Sequence, residues 1–456
     1  MDGAWTLKSC FAICLKKQLE CLLGSLKTEA GFFLAAGWAR WLIAGRRTGL
    51  PRCAQNSVFP GGIAQLVERL VRNEKARGSN PLTSILFYMP ALPVPDHLRT
   101  WVEINLGALR RNLAFVRKRI GPDPGILAVV KANGYGHGVA DIVRALADDT
   151  EVFGVANIKE ALEVAPAASG SGVMLLSPCL PAEYEMAVRS GYIVTVSSSD
   201  EALAYSRYGQ VSVNFKIDTG MGRAGCAAAS ALEEVRRVLS MERVFLHSIS
   251  THLPSADEDA VFTLEQLEGF DALAADLRSL ARDAKFHVLN SAGILTRPEH
   301  RFDLVRPGLI LYGISPLPEY SSQLEPVLSW KSRVVLLREL PAGSSVSYGR
   351  SFIAEKPIRT ALVAVGYADG FPRQVSGRGA SVLVRGIRCA VLGRVTMDQI
   401  VVDVSQVCGV ELGDEVTLIG CDGVEKIDVS ELAGQAGTIS WEILAGIGRR
   451  VEHFCV

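Results

Sequence analysis

Eight apolar, strand-like runs recur through the middle of this chain, at 126–132, 152–157, 172–177, 193–197, 211–218, 244–251, 286–290 and 304–311. Between them lie segments with helical spacing at 140–147, 158–164, 183–189, 200–208, 230–239 and 264–284. Strands that alternate with helices form a parallel sheet, and eight βα units fit a (β/α)8 TIM-type barrel of about 250 residues or a little less. A doubly wound open sheet is the alternative. Beyond about residue 326 the pattern changes to strands with short, Gly-rich connections, at 360–365, 380–384, 389–392, 400–404 and 415–419. The expected fold class is therefore α/β: a barrel domain at 89–326 followed by a mainly β domain at 327–456, packed together without a flexible linker.

Composition narrows the function classes. The chain has 456 residues, 48% of them hydrophobic, enough to bury large cores. Lys plus Arg equals Asp plus Glu at 48 each, so no charge bias favours nucleic acid or an anionic membrane. Ten cysteines fall without CxxC pairs or zinc-like His spacing, which argues against a metal site and against a secreted disulfide scaffold. Reduced thiols in the cytoplasm are the default.

Residues 1–88 differ in style from the rest, with 12 Lys/Arg against 5 Asp/Glu. The apolar stretch 31–45 is interrupted by Arg40, too short and too charged for a membrane span, and no secretory cleavage pattern follows. Back-translated, IAQLVER can be spelled ATA GCT CAG TTG GTA GAG CGC, which resembles a transfer-RNA D-arm, and GSNP further on can spell the T-arm. The expectation is a reading frame extended upstream through a transfer-RNA gene, with the true start at Met89. An amphipathic helix in a mobile leader is the other reading, and peptides from before Met89 in the native protein would overturn the first.

In a barrel, chemistry collects at the C-terminal ends of the strands. The first run leads through Lys131 into a loop containing Gly134, Gly136 and Gly138. An apolar strand lowers the proton affinity of a lysine at its exit and makes the nucleophilic amine accessible, as imine formation requires. Most strand-end lysines simply reach solvent, so this stretch alone leaves both readings open. Other reactive residues end other runs: Lys216, Asp218 and Arg223 follow the fifth, His252 the sixth, Asn290 and Ser291 the seventh, and Arg306 lies in the eighth. Each has an ordinary structural explanation; their coincidence on strand ends is harder to dismiss.

The strings AVVKANGYGHG, KIDTGMGRAG, STHLPSADE, LNSAG, VRPGLILYG, VSYGRSF, VGYADG, GRVTMDQ and TISWEIL carry a resemblance. In order and approximate spacing they resemble the successive motifs of the alanine racemase family, from about residue 100 to the end. The resemblance implies a pyridoxal 5'-phosphate enzyme that interconverts L- and D-alanine and supplies D-alanine for bacterial peptidoglycan. It implies a homodimer with shared active sites, with no nucleic acid or membrane partner. By the same resemblance Lys131 holds the cofactor as an internal aldimine and is one of two bases, and Tyr348 from the neighbouring subunit is the other. His252 and Arg306 help that tyrosine to ionise, and Arg306 also faces the pyridine nitrogen. A guanidinium there makes the ring a weaker electron sink than a carboxylic acid would.

The phosphate resembles one held by Tyr135, Ser291 and backbone donors near Gly308 and Leu309. Arg223 matches the arginine beside the cofactor's phenolic oxygen and the substrate carboxylate, and Lys216 the family's carbamylated lysine, with an unmodified, solvated lysine as the alternative. Tyr367, Met397 and Asp398 match second-subunit residues of the entrance and carboxylate site. One departure stands out: where the family commonly has a tyrosine reaching the phosphate, this chain has Trp441, with an indole N–H and more bulk. Two other functions occur on related architectures. A decarboxylase of this kind uses a partner cysteine and a carboxylate at the pyridine nitrogen, against which Arg306 and Tyr348 argue. A single-domain cofactor carrier lacks the β domain.

Overall fold

The structure, a computed structural model, describes Pro95 and residues 97–456. The expectations for 1–88, including the start at Met89, lie outside the described residues. With strands numbered in chain order, β1 (Thr100–Ile104) precedes a set of short parallel strands: β2 (Gly125–Val129), β3 (Val152–Val155), β4 (Gly172–Leu175), β5 (Ile193–Val196), β6 (Val211–Asp218), β7 (Cys226–Ala227), β8 (Val244–Ser250), β9 (Lys285–His287) and β10 (Leu304–Val305). All but β1 and the two-residue β7 form a ring of eight. It closes where β5 pairs with β6 (Ile193↔Ser212) and where β10 pairs with both β9 (Leu304↔His287) and β2 (Leu304↔Gly125). A closed ring has no edge strands, so the chain forms the eight-stranded barrel and not the open sheet.

Helices cover the barrel for the reason their periodicity gives. In Leu106–Ile120 the buried Leu109, Leu113, Val116 and Ile120 recur on one face, and the Asn105 side chain caps the helix by accepting from the Ala108 N–H at 2.8 Å. On the outer face of the ring, beneath the helices, Val213, Phe215, Ile249 and Phe286 are wholly buried, and the Arg278 guanidinium of the helix Ala260–Leu280 lies over the Phe286 ring. Most of the apolar runs stop earlier than their composition suggests, and at two of them the backbone gives the reason. The first ends at Val129 because the backbone becomes left-handed from Ala132 onward. The last ends at Val305 because Pro307 has no N–H for a ladder and the following residues turn into a 3-10 helix, Leu309–Tyr312.

The second sheet is built around β11 (Leu328–Leu340), a strand of 13 residues. It is followed by the small hairpin β12 (Ser345–Val346) and β13 (Phe352–Ile353), then β14 (Ile358–Val363), β15 (Ser381–Val384), β16 (Ile387–Leu392), β17 (Ile400–Asp403), β18 (Glu415–Asp422), β19 (Glu425–Ile427) and β20 (Glu452–Cys455). β11 pairs with β18 along its first part and with β14 along its second, so β11, β14, β17, β16, β15 and β18 also close on themselves. β1 joins this sheet, antiparallel to β11 and parallel to β20. Trp101 and Trp330 are fully buried there, and the Trp330 indole N–H donates to Thr100 Oγ1 at 3.0 Å. Two short helices, Val429–Ala436 and Ser440–Ala445, interrupt the β pattern. Among the described residues no helix is long and apolar enough to cross a membrane.

Candidate active site

Lys131 opens a turn of unusual hand. Ala132, Asn133, Gly134 and Tyr135 all have φ between 53° and 62° and ψ between 42° and 51°, a single left-handed helical turn in which only one residue is glycine. L-residues adopt this conformation at a cost of about 1–2 kcal/mol each, so the surroundings must enforce it. The Ala132 N–H donates to Glu160 Oε1 at 2.9 Å, while Glu160 Oε2 accepts from the Ala156 N–H at 2.8 Å. One carboxylate thereby ties the exits of β2 and β3 together. Asn133 Oδ1 accepts from the Val139 N–H at 2.9 Å, and His453 of β20 lies 2.9 Å from the Gly136 carbonyl. Gly136 has φ 78° and no room for a Cβ, which would run into the Leu444 carbonyl oxygen. The second sheet and its helices thus buttress the lysine's turn.

Around the barrel mouth four cations gather. Burial lowers the pKa of Lys131, the charge of Arg223 lowers it further, and Glu160 partly offsets both. Burial, then the charges of Arg306 and Arg223, bring Lys216 down to about 7. Lys216 therefore does not stand on a solvated face. The two nearby carboxylates are already occupied by backbone donors: Glu160 as above, and Asp218 by the N–H groups of Gly220, Met221, Gly222 and Arg223 at 2.8–3.1 Å. Burial alone would raise the pKa of Asp218, but those four donors outweigh it and hold it below the usual carboxylate value. That shapes the loop carrying Arg223 and leaves the site with uncompensated positive charge.

Arg306 is buried, which brings its pKa down to about 10. Nη1 donates to His287 Nδ1 (2.7 Å) and the His287 carbonyl (2.9 Å); Nη2 donates to the Thr251 carbonyl (2.7 Å) and the Val288 carbonyl (2.8 Å), with His252 Nδ1 at 3.2 Å sharing one of its two hydrogens. Among the described residues Nε donates to nothing, so one directed hydrogen-bond donor of this guanidinium remains free. An arginine has only donors, so His252 Nδ1 is an acceptor and its proton sits on Nε2. Burial and the surrounding cations push the His252 pKa down to about 2, keeping the ring neutral with an Nε2–H to give. Gln266 secures this corner, donating to Thr219 Oγ1 (2.8 Å) and the His252 carbonyl (3.0 Å). His287 and Gln266 carry no signal in the sequence, since neither stands in a resembling motif or at the end of an apolar run.

A second cluster lies beside the first. Ser291 Oγ accepts from the Gly308 N–H at 3.0 Å, and a Cβ on Gly308 would stand 2.8 Å from the Tyr135 hydroxyl. Among the described residues that hydroxyl has no hydrogen-bond partner, and burial raises its pKa to about 12, so it stays a neutral donor. The remaining candidates are elsewhere. Tyr348 is 71% exposed, Met397 52% and Tyr367 41%. Asp398 pairs with Arg450 at 2.9 Å. Trp441 is half-buried in the helix Ser440–Ala445, packed against the core.

The donor set fits pyridoxal phosphate: a lysine of lowered pKa to bind its aldehyde, unpaired cations for its anionic groups, a neutral hydroxyl above a glycine-lined gap, and one free guanidinium N–H. Among the described residues no group of three or more His, Cys, Asp or Glu could hold a metal ion.

Comparison with known proteins agrees with this chemistry. Residues 104–316 match the family described as alanine racemase, N-terminal domain, and residues 327–455 match alanine racemase, C-terminal domain. The alanine racemase of Symbiobacterium thermophilum is 40% identical over 365 residues, 78% of this chain and 96% of that protein. The alanine racemase of Halothermothrix orenii is 39% identical over 364 residues, with the same two shares. Among solved structures, the alanine racemase of Clostridium difficile superposes with a TM-score of 0.74 at 30% identity, covering 79% of this chain and 96% of that one. The enzyme of E. faecalis gives 0.74 at 31%, covering 80% and 100%. With both domains matched in order and the relatives covered almost end to end, this chain belongs to the alanine racemase family, whose members are pyridoxal-phosphate-dependent isomerases.

Proposed function

We propose that this chain racemises alanine with two bases on opposite faces of the substrate's Cα, Lys131 from one subunit and Tyr348 from a second copy of the chain. Bound at the barrel mouth, pyridoxal phosphate would supply an imine-forming aldehyde and an electron-accepting ring. The observation that carries the reading is the setting of Lys131: a desolvated amine at a strand exit, among cations that disfavour its protonated form. Neutral at need, it takes the proton on its side of the substrate.

The chain supports the second base less directly. Tyr348 is exposed and has no hydrogen bond to a site residue among the described residues, so within one subunit it has no partner for proton transfer. We assign it, with Tyr367, Met397 and Asp398, to the active site of a second copy. The Nε2–H of His252 is the donor that would stabilise its phenolate, with Arg306 behind it fixing the ring. Arg306 would offer its free Nε–H to the pyridine nitrogen without surrendering the proton. Tyr135, Ser291 and the backbone of Gly308 and Leu309 would hold the phosphate, with Trp441 beside them, and Arg223 the phenolic oxygen and substrate carboxylate. Carbamylation of Lys216 would place an anion among the cations; a lysine pKa of about 7 makes the required neutral amine accessible. The cytoplasmic location expected from the cysteine usage is part of the same proposal.

Mixing two inactive variants tests the shared site. Lys131→Ala and Tyr348→Phe homodimers each lack one base at both sites, whereas a hybrid dimer has one site with both. After dissociation and reassociation of an equal mixture, about a quarter of the wild-type activity should return. No recovery, with hybrids present by mass spectrometry, would rule out the shared site.

A further inference from the structure

The interior of a barrel of this kind is ordinarily filled by branched apolar side chains. Here a line of polar ones crosses it: Thr195 of β5, Asn214 of β6, Ser248 of β8, His287 of β9 and Arg306 just beyond β10, none more than 6% exposed. A buried polar network adds little stability over a packed apolar core and costs dearly if any member is unpaired, so a line this complete points to a positional task.

The line runs in one sense only. Because the guanidinium is all donor, Arg306 Nη1 at 2.7 Å makes His287 Nδ1 an acceptor. Burial, with the charges of Arg306 and Lys216, holds the His287 pKa well below its ordinary value, so the ring is neutral and its single proton is on Nε2. That Nε2–H faces Ser248 Oγ at 3.3 Å, which must accept. The Ser248 hydroxyl donates in turn to Asn214 Oδ1 at 3.0 Å, which orients the amide so that Nδ2 donates to Thr195 Oγ1, also at 3.0 Å. His247 Nδ1 also lies within hydrogen-bond distance of Ser248 Oγ, at 3.1 Å. Each of the four links in the line thus joins one donor to one acceptor.

We propose that Ser248 and Asn214 are positioning residues that fix the tautomer and seat of His287, and through it the orientation of the Arg306 guanidinium. The consequence for catalysis rests on the reading that Arg306 faces the cofactor ring. Either a lost Ser248 hydroxyl or a reversed one would leave the Nε2–H unpaired; the ring would then gain by moving its proton to Nδ1, where it opposes the arginine.

Protein labelled with ¹⁵N-histidine, with and without cofactor, reports the tautomer directly. The wild type should show His287 as a neutral Nε2–H ring in both forms. Ser248→Ala should lose that single-tautomer signature and lower kcat about tenfold, with KM for alanine within about twofold. Asn214→Leu, which frees the serine hydroxyl to reverse, should show a mixed tautomer and a smaller loss. An imidazolium or an Nδ1–H ring in the wild type overturns the proposal even if no variant folds. So does a Ser248→Ala enzyme that keeps either the wild-type tautomer or the wild-type kcat. Cofactor labelled with ¹⁵N in the pyridine ring separates the underlying reading: without a hydrogen bond to that nitrogen the Arg306 reading fails, while the apoprotein's tautomer stands.

Discussion

At the scale of single residues, Lys131 and Tyr348 differ in what their loss should do. Lys131→Ala removes the amine proposed to bind the cofactor's aldehyde, so the absorbance band of a lysine-bound cofactor should vanish along with turnover. Tyr348→Phe leaves that amine in place, so the band should persist while racemisation falls by about 10²- to 10⁴-fold, the usual contribution of a positioned acid or base. A Tyr348→Phe protein that racemises normally would remove the tyrosine from the mechanism. In the proposed site, Trp441 would bear on specificity. Its half-buried indole brings more bulk than a tyrosine, and we expect alanine to be turned over in preference to larger amino acids. Rates on L-alanine, L-serine and L-lysine decide this, and a preference for lysine would contradict it.

At the scale of an element, the left-handed turn after Lys131 is the part of the site most dependent on its neighbours. Three non-glycine residues in that conformation store several kcal/mol, at about 1–2 kcal/mol each. Glu160 bridges two of the backbone donors that hold the turn against β3. A glutamine can accept from only one of them and sets an NH₂ against the other. Glu160→Gln should therefore destabilise the protein by about 1 kcal/mol, the site being partly solvated. It should also move the titration of Lys131 in the cofactor-free protein to lower pH, because the carboxylate is what raises that pKa. An unchanged titration would show that Glu160 acts only through the backbone. Gly136→Ala should cost at least about 1–2 kcal/mol through its φ alone, and more through the Leu444 carbonyl, read as a lower unfolding temperature.

At the scale of the whole molecule, buried neutral histidines set the acid limb of stability. Burial brings His137 down to about 4 and His252 to about 2, and holds His287 well below its ordinary value. Once unfolded they titrate near about 6.5, so below that pH the unfolded state binds more protons than the folded one. Their contribution is complete above about pH 6.5 and is lost as the pH falls toward the folded values, by up to about 1.4 kcal/mol per pH unit for each histidine. Urea midpoints should fall between about pH 7 and pH 5; a flat profile would mean that these rings are charged in the folded protein.

Local periodicity was enough to read the eight βα units and the change to a β pattern, because burial of one face imposes a repeat on the residues that make it. The same runs put Lys131, Lys216, His252 and Arg306 at or near strand ends, where a barrel gathers its chemistry. Other features had no local signature. Ala132, Asn133 and Tyr135 are ordinary L-residues, and nothing in their order forecasts positive φ; the hydrogen bond the Ala132 N–H gives to Glu160 and the contact of His453 with the Gly136 carbonyl, both made by residues distant in the chain, impose it. Ser248 and Asn214 read as polar interruptions of apolar strands until strand register turns both into the barrel and sets them 3.0 Å apart. β1 lies within the segment 89–326 expected to form the barrel domain, yet it pairs with β11 and β20, since strand partners are chosen by packing across the fold. The sequence by itself determined which elements form and which reactive groups they carry. Only the tertiary structure decided the hand of the turn at Lys131, the proton positions on His252 and His287, and the polar line behind Arg306, because each depends on contacts between segments far apart in the chain.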